Sequence, residues 1–149
     1  MYDFGTHFEV DLTKSKTPSS NVFRGKTYRI SILSDVLIRF EYSETGSFND
    51  YPTFFASNRS FGKPKITVED NNVLIIKNDI FILEYNKEKP FIGSKLMPDQ
   101  NLKVTIAGTE KIWYFNHPEV KNFKGTAYSL DDTKGNIDFE KGLFSLDGF

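Results

Sequence analysis

The feature that most constrains this chain is a hydrophobic period of two that persists through most of its length. Tyr28, Ile30 and Ile32 alternate with Arg29, Ser31 and Leu33, and Val36, Ile38, Phe40 and Tyr42 alternate with Leu37, Arg39 and Glu41. Successive side chains on a strand point to opposite faces, so such a run buries one face and presents the other. Ser34-Asp35 separates the two runs and is short and polar, which predicts a β-hairpin. The plan repeats downstream. Ile66 and Val68 lead into Asp70-Asn71-Asn72, followed by the run Val73 to Ile76, the turn Asn78-Asp79, and the run Ile80 to Tyr85. Asn and Asp accept positive φ and bond the nearby backbone, so they punctuate strands. Leu102, Val104 and Ile106 alternate with Lys103 and Thr105, and Gly108-Thr109 precedes a last run from Lys111 to Phe115.

No window carries a sustained 3.6-residue apolar stripe with a cap and a stop. Short strands at regular spacing without helices predict an all-β fold, most simply a sandwich of two antiparallel sheets. The 149 residues fit one domain spanning 1–149, long enough to bury roughly 68–70% of the unfolded surface. With 15 Phe and 7 Tyr, the core should be bulky and rigid. Two irregular stretches, 43–65 and 116–142, are long for connections in a compact domain; loops of that length are functional or pack against something else. Residues 11–25, containing Pro18-Ser19-Ser20, read as a linker, and the first 26 residues as a mobile arm.

Charge excludes several functions. Charged residues make up 26% of the chain and the net charge is −1, with Lys and Arg scattered among acids, so neither nucleic acid nor an anionic membrane is an expected partner. No stretch approaches the roughly 20 apolar residues of a membrane span. The opening Met1-Tyr2-Asp3-Phe4-Gly5-Thr6-His7 is neither basic nor followed by an apolar run, and a cytoplasmic protein is expected. Cysteine is absent, which removes disulfides, thiolate nucleophiles and cysteine zinc sites.

The familiar reactive constellations are also missing. Gly25-Lys26-Thr27 ends like a phosphate-binding loop, but Ser20 stands where the motif needs glycine, and a strand follows where it needs a helix. The two histidines, His7 and His117, have no metal-ligand spacing, and both read as solvent-facing loop residues. No Gly-x-Ser-x-Gly elbow occurs. No cofactor and no metal is expected. Asp131, Asp132, Asp138, Glu140 and Asp147 gather near the end. Paired carboxylates can hydrolyse glycosidic bonds across a sugar, but Asp131 and Asp132 are neighbours that need not face one another, and a solvated acidic loop explains them as well. Trp113-Tyr114-Phe115, with Phe123 and Tyr128, offers rings either to a sugar or to the core.

Two groups of residues resemble a known family. Leu37-Ile38-Arg39-Phe40-Glu41-Tyr42-Ser43, Phe48-Asn49-Asp50-Tyr51-Pro52-Thr53 and Asn58-Arg59 form the first; Gly125-Thr126-Ala127-Tyr128-Ser129-Leu130-Asp131 and Gly142-Leu143-Phe144-Ser145-Leu146-Asp147-Gly148-Phe149 form the second. In order and spacing, from about Tyr28 onward, they resemble the N-terminal domain of glycoside hydrolase family 31. The second group is similar to that family's Gly-Thr-x-Arg-Thr-Leu-Asp and Gly-Leu-Leu-Ser-Arg-Asp-Gly-Trp segments. Tyr128 and Leu146 replace its arginines, Ser129 its threonine and Phe149 its tryptophan. Losing the arginines removes charge-assisted bonds that would orient the loop.

The resemblance implies a galactose mutarotase-like sandwich, truncated at its C-terminal end and followed by a catalytic (β/α)8 barrel. The last eight residues read as a strand entering an Asp-Gly turn with no returning strand, so the natural polypeptide is expected to continue. The family's retaining α-glycosidases, α-glucosidases and α-xylosidases among them, carry both catalytic carboxylates in the barrel, so this chain alone is expected to be inactive. The resemblance also implies a loop that helps close the sugar pocket, with Asp131 as the substrate-binding residue, accepting hydrogen bonds from sugar hydroxyls. An α-linked carbohydrate and the chain's own barrel are the implied partners. The face left bare without the barrel predicts self-association as a homo-oligomer. Two alternatives stay open: a free-standing carbohydrate-binding module that works through exposed aromatics, and, by analogy of fold alone, a mutarotase-like enzyme.

Overall fold

A computed structural model describes residues 12–52, 56–87, 89–91, 101–115 and 117. The described residues form eight strands: β1 (Val22–Arg24), β2 (Tyr28–Ser34), β3 (Leu37–Tyr42), β4 (Thr67–Asp70), β5 (Val73–Lys77), β6 (Phe81–Asn86), β7 (Leu102–Ile106) and β8 (Ile112–Tyr114). All of their pairings are antiparallel and join strands consecutive in sequence, with no pairing between β3 and β4. The result is two meanders, a three-stranded sheet β1-β2-β3 and a five-stranded sheet β4-β5-β6-β7-β8. The hairpins and turns anticipated from the period of two are present with nearly the expected bounds.

Register aligns the apolar residues into rows. Phe23, Ile30 and Phe40 stand opposite one another across the three-stranded sheet. Val68, Ile76, Leu83, Val104 and Trp113 do the same across the five-stranded sheet, with Leu74, Tyr85 and Leu102 forming a shorter row beside them. These rows face each other. Tyr28 meets Tyr85 edge to face at 4.8 Å between ring centroids, and Phe40 stacks on Trp113 at 5.5 Å. Phe91, from the β6–β7 connection, is wedged among Phe40, Tyr42 and Tyr85. Ring pairs at these separations add about 0.5–1.5 kcal/mol each beyond their burial. The molecule is an antiparallel β-sandwich with an aromatic seam.

Burial follows the alternation most cleanly in β6, where Phe81, Leu83 and Tyr85 are buried and the intervening residues are half-buried. It fails in β2. There every residue from Tyr28 to Leu33 is buried, including Arg29 and Ser31. Part of the reason is a bulge: Ile32 pairs with Ile38 and Ser34 with Leu37, so Leu33 is an extra residue in its strand. The rest is a covering layer. Residues 43–52 and 56–66 of the connection and the segment 12–21 lie on the outer face of the three-stranded sheet, held by Arg59 N–H donating to the Lys14 carbonyl at 2.7 Å and Asn21 Nδ2 donating to the Gly62 carbonyl at 3.0 Å.

That layer corrects the reading of the first 26 residues. Among those described, Val22–Arg24 is a paired strand, Leu12–Lys14 and Ser19–Asn21 are 3₁₀ turns, and Ser15 and Asn21 are buried. Residues 12–26 are docked rather than a free arm. Their polarity misled: Asn21 and Ser15 bond backbone carbonyls, and Ser15 Oγ donates to the Leu12 carbonyl at 2.7 Å, so these polar groups are satisfied inside.

The turns have local causes. Gly46 takes φ +72°, and a Cβ there would sit 2.6 Å from the Lys26 carbonyl oxygen, so only glycine fits where β3 leaves the sheet. Asp35 ties the two sheets at one end: its carboxylate accepts from the Lys65 N–H and its carbonyl from Asn78 Nδ2, both at 2.8 Å. The edge strand β4 is exposed throughout, and charges at Glu69 and Asp70 guard it against further pairing.

Leu83 sits at the centre of the five-residue row with no exposure. Leu83→Ala should lower the unfolding free energy by about 2–5 kcal/mol. Urea denaturation followed by the fluorescence of Trp113 measures it, and a loss below about 1 kcal/mol would be incompatible with this packing.

Candidate functional site: a guanidinium cluster beneath the 43–66 connection

The outer face of the three-stranded sheet is polar by pattern. Arg24, Arg29 and Glu41 stand side by side across β1, β2 and β3, as do Val22, Ser31 and Arg39. In an uncovered sheet these side chains would be solvated; here they are roofed. Arg29 retains 8% of its exposure and is fully engaged. Its Nε donates to Glu41 Oε2 at 2.6 Å and its Nη2 to Glu41 Oε1 at 2.7 Å, a bidentate fork. Its Nη1 donates to Asp50 Oδ1 at 2.6 Å, and Nη2 also reaches the Asn49 carbonyl at 3.2 Å. The Phe48 ring packs between two guanidiniums, Arg24 at 5.0 Å and Arg29 at 5.1 Å from its centroid.

Two more arginines complete the layer. Arg39 Nη2 lies 2.8 Å from Glu41 Oε1, the oxygen Arg29 already uses. Arg59 is 2% exposed and donates from Nη2 to the Tyr51 carbonyl at 2.9 Å, while its Nε and Nη1 have no acceptor among the described residues. The neighbours act on these groups in opposite directions. The bonds to Glu41, partly offset by burial and reinforced by Asp50, hold the Arg29 guanidinium above the usual arginine range. Burial pushes Arg39 down; Glu41 opposes this, and the charges of Arg59 and Arg29 add to it. A group raised by folding contributes stability at every pH below its unfolded value and loses it only as pH climbs through the folded value. The Arg29 fork therefore holds across the whole physiological window.

Beside this cluster a cavity of about 190 Å³ opens between Lys16, Arg24, Arg29, Arg39 and Asp50. A second, of about 330 Å³, lies next to it, sharing Lys16 and Asp50 and bounded by Leu12, Tyr51 and Pro52. The Tyr51 ring is 79% exposed.

The residues singled out from sequence fare unequally. Asp131, Asp132, Asp138, Glu140, Asp147, Phe123, Tyr128 and His7 lie outside the described residues, as does the whole second group of family-like motifs. Trp113 belongs to the core through its stack on Phe40, which removes it as an exposed sugar platform. His117 is half-buried with its ring 4.8 Å from that of Tyr114, not solvent-facing. Gly25-Lys26-Thr27 is the β1–β2 turn, closed by the Gly25 N–H on the Tyr28 carbonyl at 3.1 Å, so its backbone is spent on the hairpin. The Arg29–Glu41–Asp50 cluster was missed because alternation assigns Arg29, Arg39 and Glu41 to water. The available signal was the length of the 43–65 stretch, which needed a surface to lie on.

No protein-family model matches the chain. No curated protein matches it either.

A double-mutant cycle tests the cluster. Removing Arg29 and Glu41 singly and together should give a coupling energy of at least about 1.5 kcal/mol, because truncating either strips the other of its bidentate partner in a roofed layer and leaves it a single ion pair, Arg29 with Asp50 or Glu41 with Arg39. The exposed pair Lys77–Glu69, at 2.9 Å, should give less than about 1 kcal/mol in the same assay. Equal couplings would mean that the Arg29 face is solvated.

Proposed function

We propose that this chain is the noncatalytic N-terminal β-sandwich of a cytoplasmic retaining α-glycosidase, α-glucosidase-like, of the type found in glycoside hydrolase family 31. In this reading the sandwich is galactose mutarotase-like, packs on a (β/α)8 barrel that supplies both catalytic carboxylates, and lends the sugar pocket a loop carrying Asp131. One observation carries it. The first group of family-like residues, dispersed over more than twenty positions, converges on one place: Arg39 and Glu41 from β3, Asp50 from the connection, and Arg59 beneath it. A chance likeness gives scattered residues no shared task, whereas here they build the layer that roofs β2. The sandwich architecture supports the same reading. No helix among the described residues is long and apolar enough to cross a membrane, and a chain without cysteine has no need of an oxidising compartment.

The exposed Tyr51 beside Asp50 favours a second reading, a carbohydrate-binding module with that ring as its platform. The two readings separate by experiment. The 149-residue chain should leave p-nitrophenyl α-glucoside intact, whereas the full natural reading frame should hydrolyse it. Within the full enzyme, Asp131→Asn should lower kcat/KM by roughly tenfold or more, chiefly through KM, as expected for one lost charge-assisted bond to a sugar hydroxyl. A natural reading frame without a barrel would sink the first reading. Saturable millimolar binding of maltose to the isolated chain, abolished by Tyr51→Ala, would establish the second.

A further inference from the structure

We propose that the cavity on the outer face of the three-stranded sheet is a binding site for a small oxyanion, a phosphate or phosphate monoester group. The inference stands apart from the glycosidase reading and rests on a charge imbalance. Among the described residues, three guanidiniums, Arg29, Arg39 and Arg59, share the roofed layer with two carboxylates, Glu41 and Asp50. Arg29 engages both carboxylates, and Arg39 has only a second claim on one Glu41 oxygen. Arg59 is 2% exposed and, among the described residues, meets a single carbonyl; two of its donor nitrogens have no acceptor. A buried cation short of acceptors is a costly arrangement in a protein; Arg59 does not itself line the cavity, but its charge acts on the Arg39 guanidinium that does, so an anion at Arg39 answers both.

The cavity offers the place. Its volume of about 190 Å³ admits a group of phosphate size, and Arg39, Arg24, Lys16 and the Ser31 strand position line it. Among the described residues Asp50 is the one carboxylate on its wall, and that carboxylate is already held by Arg29. Arg24 commits Nη2 to the Gly46 carbonyl at 3.0 Å, and Lys16 is exposed at the rim. Planar guanidiniums with spare donors match tetrahedral oxyanions bidentately, and a dianion answers several cations at once. A neutral sugar would answer none of them.

Calorimetric titration of the 149-residue chain with inorganic phosphate, against chloride at equal ionic strength, tests the site. Phosphate should bind saturably with a millimolar or tighter Kd and raise Tm, and chloride should do neither. The double variant Lys16→Gln/Arg24→Gln removes two cations from the cavity and, with Arg24, its bond to the Gly46 carbonyl and its contact with Phe48, so its urea midpoint should fall slightly while its phosphate Kd weakens at least tenfold. A parallel titration with glucose 6-phosphate distinguishes the source of the anion: tighter binding than phosphate identifies an ester as the ligand, equal binding a free oxyanion. No saturable phosphate binding, binding unchanged in the double variant, or displacement of phosphate by neutral glucose would each overturn the proposal.

Discussion

The bidentate fork between Arg29 and Glu41, closed from above by Asp50, is the interaction on which the first half of the molecule turns. Arg29 comes from the middle strand, Glu41 from its hairpin partner and Asp50 from the long connection, so the three meet only if the hairpin is in register and the connection lies flat on it. In return the connection shields the fork from water, and in that lower dielectric its charges attract more strongly. Neither part is stable in this form without the other. A loop that would otherwise sample many conformations is fixed by a charge it helps to bury.

The opposite face of the same strand solves a different problem. Tyr28, Ile30 and Ile32 point away from the arginines into the seam between the sheets, where Tyr85, Leu83 and Ile76 meet them. Strand β2 thus separates an apolar core from a buried ionic layer, with its backbone in the ladders on both sides. Leu33, accommodated by the bulge, and Gly46, at the exit from β3, let the chain leave this strand pair without exposing either layer. The connection then crosses to the second sheet, anchored where Asp35 reaches Lys65 and Asn78. The functional proposals share this layer. In the glycosidase reading it stiffens a shoulder for a catalytic barrel, and in the oxyanion reading its surplus positive charge is the attraction itself.

Most of the architecture was legible in the pattern of residues. Alternation at period two, broken by Asn, Asp and Gly, placed seven of the eight strands found among the described residues, because local geometry alone dictates which side chains share a face. The aromatic core followed from composition, and the fold class from the absence of any helical stripe. The short strand Val22–Arg24 and the docking of residues 12–21 escaped, because a stretch rich in Ser, Thr and Pro carries no periodic signal. Only the partner groups, the Gly62 carbonyl for Asn21 and the hydrogen-bonding edge of β2, reveal its place.

The candidate site divides differently. Sequence by itself determined that Arg29, Arg39 and Glu41 share one face, since strand alternation permits nothing else. Whether that face meets water or a roof is a question of what another segment does twenty residues away, and the local pattern is silent on it. Tertiary structure decided it by laying Phe48, Asp50 and Arg59 over the strands, so that Arg29 is buried, Arg39 and Glu41 are half-buried, and the described cluster holds more cations than anions. The reason is physical: hydrophobic periodicity records which residues leave water together, but an ion pair is buried only when distant groups arrive to replace the water it loses.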